Sequence, residues 1–109
     1  MKYDIREIVA AIESAARAAH KLAAHDDGGT CNMDSAFIEA DAMSGAEAEE
    51  IARISGVRVY LLHSKTYGRV LMLGSITDGQ GFRRTKMAEA AHQILAEKGL
   101  PSGVWYQID

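Results

Sequence analysis

The stretch Asp78-Gly-Gln-Gly-Phe-Arg-Arg-Thr-Lys-Met-Ala-Glu89 places two glycines, an aromatic ring and adjacent arginines where a helix-like run begins. The first turn of a helix has unpaired backbone N–H groups and the positive end of the helix dipole, which together suit an anion. Carboxylates are the usual side chains there, and a cation costs about a few tenths of a kcal/mol. Arg83, Arg84 and Lys86 crowd this end, so their charge calls for a negative partner. Arginine also offers a planar two-pronged donor suited to phosphate. Phe82 offers a face on which a base can stack. Asp78 can accept from a ribose hydroxyl or a base amine, or can neutralise one arginine. A basic turn paired with acidic neighbours in the fold explains the same residues without a ligand. The stretch is not a Walker loop, since no Gly-Lys-Ser/Thr follows its glycines.

Other chemistry has weaker footing. His20 and His25 do not share a helical face, and His63, His92 and Cys31 fall in separate elements, so no metal-ligand spacing is present. Cys31 as a nucleophile needs a base and an electropositive setting, and a small buried hydrophobe is its commoner fate. Asp34, Asp41, Asp78 and the group Glu47, Glu49 and Glu50 leave a carboxylate-based hydrolase open. That last group is most simply the acidic first turn of a helix. Asp27-Gly-Gly-Thr-Cys-Asn32 is a second polar stretch whose small residues permit close approach, although a helix-to-strand turn accounts for them equally. Arg17 lies on the polar side of the first helix, four residues after Glu13, with which it can pair.

The elements that position these residues follow from periodicity. Residues 4–25 carry Ile5, Ile8, Val9, Ile12, Ala15, Ala16, Ala19, Leu22 and Ala23 at three- and four-residue spacing, which predicts a long amphipathic helix. Asp4 is its cap, with Glu7 in the capping-box position, and Gly28-Gly29 its stop. Its length of about 30 Å exceeds what one face of a small sheet needs, which points to a partner subunit. Thr30–Glu39 alternates as a strand, with Phe37 opposite Ala36 and Ile38. Ser44-Gly-Ala-Glu47 forms a capping box for a short helix that stops before Gly56. Val57–His63 and Arg69–Ile76 form an antiparallel hairpin around Ser64–Gly68. Both faces of these strands are apolar, which places them mid-sheet and covered on both sides. A helix from about Arg83 to Lys98, with Met87, Ala90, Ala91, Ile94 and Leu95 buried, ends at Gly99 and Pro101. Gly103–Ile108 is a last short strand. The expected fold is α+β: helix, strand, helix, strand, strand, helix, strand, with an antiparallel sheet of about four strands.

The chain's 109 residues make a single domain, with residues 1–27 as an oligomerising helix and 28–109 as the α+β body. Hydrophobic residues at 48% and charged residues at 25% describe an ordered globular chain. A net charge of −3 supplies no global field to steer it onto nucleic acid, so no stable nucleic-acid complex is expected. A single cysteine fits a reducing compartment. Charges interrupt the apolar positions of the N-terminal stretch, so no signal peptide or spanning segment is expected and the predicted location is cytoplasmic.

Two stretches, "HDDGGTCNMDS" and "GQGFRRTKMAEAAHQIL" with the terminal "GVWYQID", together with the long first helix, resemble the first family of phage Thoeris anti-defence sponge proteins. The resemblance covers about a third of the chain. It implies sequestration without cleavage of cyclic ADP-ribose isomers, the signals made by bacterial TIR-domain proteins. Some members also take cyclic dinucleotides or trinucleotides of CBASS defence. It implies pockets at a subunit interface, homodimers or hexamers built from dimers, and no cofactor. Matched to the family's motif, Arg17, Asp78 and Arg84 are pocket residues, and Thr85 is a contact for larger cyclic nucleotides. With Gln80, Phe82 and Arg83 from the same stretch, these are the candidate ligand-binding residues. A protein-binding inhibitor of a CRISPR effector and a small phosphodiesterase are the alternatives.

Overall fold

The computed structural model describes residues 4–22, 34–74 and 82–106, with Leu22, Phe82, Arg83 and Arg84 described for their backbone alone. The element order is α1 (Ile5–Leu22), β1 (Ser35–Glu39), α2 (Gly45–Ser55), β2 (Val59–Ser64), β3 (Gly68–Leu73), α3 (Phe82–Glu97) and β4 (Ser102–Trp105). This is the α+β arrangement expected from periodicity. The four strands form one antiparallel sheet in the order β2-β3-β1-β4.

Each helix starts and stops for a local reason. Asp4 Oδ1 accepts from the backbone N–H groups of Arg6 and Glu7 at the start of α1. Ser44 and Glu47 form the reciprocal capping box of α2, with bonds of 3.1 and 2.9 Å, and α2 ends at Gly56 in the left-handed region. The α3 helix stops where Gly99 takes φ 81°, with its N–H given to the Ala96 carbonyl.

One face of the sheet carries the core. Ile8, Val9, Ile12, Ala15 and Ala19 of α1 bury their stripe with Ile51 of α2 and Met87, Ala91 and Leu95 of α3, over Ala36, Ile38, Leu71 and Leu73 of the sheet. The α1 helix packs on both α3 and α2, so its apolar stripe is used within its own subunit. Its 18 described residues span about 27 Å at 1.5 Å each. The opposite face is smaller: Phe37, Val70 and Met72 are buried there, with Trp105 beside them and the Tyr67 ring 4.9 Å from that of Phe37. Gly103 pairs with Phe37, and a Cβ on Gly103 would lie 2.7 Å from the Phe37 ring.

The hairpin is closed by Ser64, whose Oγ accepts from the N–H groups of Thr66 and Tyr67. Asp41 Oδ1 braces its far side by accepting from Arg69 N–H beside Gly68.

Several expectations are corrected. β2 is an edge strand and not an interior one, and Tyr60 and Leu62 stand exposed; of the two hairpin strands, β3 has both faces buried. Composition alone cannot separate the two cases, because an apolar side chain looks the same covered or uncovered. β1 begins at Ser35, and the expected strand residues 30–33 lie outside the described residues, as do 75–76 and 107–108 of the other strands. Residues 23–27 of the expected first helix also lie outside them. Among the described residues no helix is long and apolar enough to cross a membrane.

Candidate functional site

The backbone of Phe82, Arg83, Arg84 and Thr85 forms the first turn of α3, and that turn contains no carboxylate. The two arginines therefore stand at the amino-terminal end of a 16-residue helix, as the sequence predicts. Asp78 and Gln80 lie outside the described residues.

Thr85 is held from below. Its Oγ1 donates to Asp34 Oδ2 at 2.7 Å, and Asp34 is 1% exposed immediately before β1. A short bond to a buried carboxylate fixes the rotamer of Thr85 and ties the first turn of α3 to the entry of β1. One turn on, Glu89 Oε2 accepts from the Tyr106 hydroxyl at 2.8 Å, joining α3 to the residue after β4. That bond to Glu89, then partial burial and the negative charges of Glu89 and Asp34, push the Tyr106 phenol up to about 12. Asp34, Thr85, Glu89 and Tyr106 thus form one polar seam along the start of α3. Spacing in the sequence gave no sign of it, since Asp34 and Tyr106 lie far in the chain from Thr85 and Glu89 on α3.

Arg17 is exposed on α1, and its Nη2 donates to Ser14 Oγ at 3.1 Å. Of the two expected states, solvated or paired with Glu13, Arg17 is solvent-exposed, and its bond goes to Ser14, three residues back on the same helix. Arg84 and Thr85 are adjacent in the first turn of α3, and Arg17 lies in the carboxy-terminal half of α1, the helix that packs on α3.

A cavity of about 500 Å³ lies at the other end of β1 and α3, between the α1 start and the α3 stop. Asp4, Glu7, Glu39 and Asp41 line it over Ile8 and Ile38. Four carboxylates make it unsuited to an anion. Among the described residues no group of three or more His, Cys, Asp and Glu side chains is placed to hold a metal ion. Comparisons with protein-family models, with curated proteins and with solved structures found no match.

Proposed function

We propose that this protein binds and sequesters a cyclic nucleotide immune signal without cleaving it, acting as a phage anti-defence sponge in the bacterial cytoplasm. The observation that carries this reading is the basic, carboxylate-free first turn of α3 on a helix end. A pyrophosphate at that end would meet the backbone N–H groups of the turn and the charges of Arg83 and Arg84. The resemblance to the Thoeris anti-defence sponges supplies the ligand class: cyclic ADP-ribose isomers, with CBASS cyclic di- or trinucleotides as a second class. Asp78, Gln80 and Phe82 would complete the pocket from the preceding stretch. The partner subunit's Arg17 would enter it across a homodimer or a hexamer of dimers.

Thr85 gives its proton to Asp34, so toward a ligand it would act as an acceptor, for example of a ribose hydroxyl. Affinity near nanomolar, about 12 kcal/mol, is what a stoichiometric sponge needs. The test is incubation with cyclic ADP-ribose isomers, removal of free ligand by filtration, and heating to release what is bound. Intact ligand in the heated fraction supports sequestration; a linear product shows a hydrolase instead, and an empty fraction removes the ligand class.

A further inference from the structure

We infer that the cavity between the start of α1 and the stop of α3 is a binding site for an aliphatic polyamine. Its ammonium groups meet carboxylates of α1 and of the β1 end, and its methylene chain lies on the apolar wall between them. The ligand is opposite in sign to the one placed at the α3 start and uses none of the same residues.

The cavity comes first in the argument, and the charges decide what it takes. Its volume of about 500 Å³ falls within the roughly 300–1,000 Å³ of small-molecule sites, which are apolar inside with a few polar groups placed on them. Three elements end at it: α1 begins at Ile5, β1 stops at Glu39, and α3 gives way to Gly99. Ile8 of α1 and Ile38 of β1 are 3% and 1% exposed and belong to the main core, so the packing of the helix on the sheet fixes this wall. Leu100 and Pro101 extend it past the helix stop.

The four carboxylates form two pairs on separate elements: Asp4 and Glu7 at the α1 start, Glu39 and Asp41 at the end of β1. Among the described residues none of the four has a basic side chain in ion-pair contact. Asp4 gives one oxygen to the N–H groups of Arg6 and Glu7, and Asp41 gives one to Arg69 N–H. Those bonds fix both side chains and leave the second oxygen of each to a ligand. The Glu7 and Glu39 carboxylates accept no hydrogen bond among the described residues. Gly99 adds the carbonyl end of α3, whose dipole also favours a cation.

The spread of the carboxylates selects the kind of cation. Among the described residues no three acidic, histidine or cysteine side chains converge closely enough to hold a metal ion. A point charge would therefore satisfy one pair and leave the other, whereas a cation with several centres along an aliphatic chain reaches both. Each ammonium brings several N–H donors to oxygens that have none, and the methylenes between cover Ile8, Ile38 and Leu100.

Isothermal titration of the whole chain with spermidine should give a saturable isotherm with one site per chain. Butylamine, with a single ammonium, should bind more weakly. Magnesium at matched ionic strength should not displace spermidine. E7Q/E39Q should weaken spermidine binding by about tenfold, the loss of two partly exposed charge-assisted contacts, with the circular dichroism spectrum unchanged. E13Q/E49Q removes the same charge from exposed positions outside the cavity and should bind as the wild type does. Absence of saturable binding overturns the proposal. So does displacement by magnesium, or equal weakening in the two double variants, since either shows diffuse attraction to an acidic surface. None of these outcomes involves the nucleotide, so the two sites stand or fall separately.

Discussion

The Thr85 hydroxyl donates to the buried carboxylate of Asp34 across 2.7 Å, linking two residues 51 positions apart. This bond anchors the helix end that carries the arginine pair. Its loss acts on stability and on any ligand at that end together.

Thr85→Val keeps the shape of the side chain and removes the donor. A buried carboxylate deprived of one partner costs about 1–3 kcal/mol, which lowers the melting temperature by several degrees in a domain of this size. Thr85→Ser restores the donor and should recover most of the loss. Equal melting of the valine and serine variants would show that the bond contributes nothing.

Tyr106 should titrate late. Its phenol is pushed from 10.0 to about 12, first by its bond to Glu89. The protonated form is favoured in the folded state, so the associated stability is complete below pH 10 and is lost as pH rises through about 12. At 61% exposure, solvent screens much of the interaction, and the effect is read as a titration and not as an energy. Ultraviolet difference titration of the wild type against Tyr106→Phe should remove the latest-titrating phenol; Glu89→Gln should bring that phenol earlier. A Tyr106 midpoint near 10 in the wild type contradicts the assignment.

Gly103→Ala should destabilise by about 1–3 kcal/mol, the usual cost of overpacking, because the new methyl would sit 2.7 Å from the Phe37 ring. Phe37→Leu replaces that ring with a shorter side chain that lacks the clashing atoms. In the double variant the two costs should fall short of their sum, as expected for residues in contact. Urea denaturation of all four proteins measures this directly, and strict additivity would place the clash elsewhere.

Arg84→Ala should abolish cyclic-nucleotide binding in isothermal titration, with the circular dichroism spectrum and melting temperature unchanged, since a cation at a helix start contributes nothing favourable to the fold. Binding at wild-type affinity would remove Arg84 from the site. A lowered melting temperature would show that its charge is satisfied inside the protein.

The sequence made the elements readable where a short-range rule governs them. The Ser44–Glu47 capping box, the Ser64–Gly68 turn and the α3 stop at Gly99 depend on residues within a few positions of one another. Periodicity likewise placed Met87, Ala91 and Leu95 inward. The position of β2 within the sheet was not readable, since strand order depends on which distant segments pair. Asp34 was visible as one of several carboxylates and Thr85 as a ligand contact, but nothing local indicates that they meet. The Glu89–Tyr106 bond was hidden for the same reason.

The strand order has a kinetic meaning as well. β2 and β3 are neighbours in the chain and can zip together on the microsecond scale of an isolated hairpin. β1 finds its two neighbours only far downstream, through Phe37 with Met72 on one side and with Gly103 on the other. Each of those closures must be paid in chain entropy before the contacts repay it. β1, the strand at whose threshold Asp34 meets Thr85, is thus a late-closing element next to the β2–β3 hairpin.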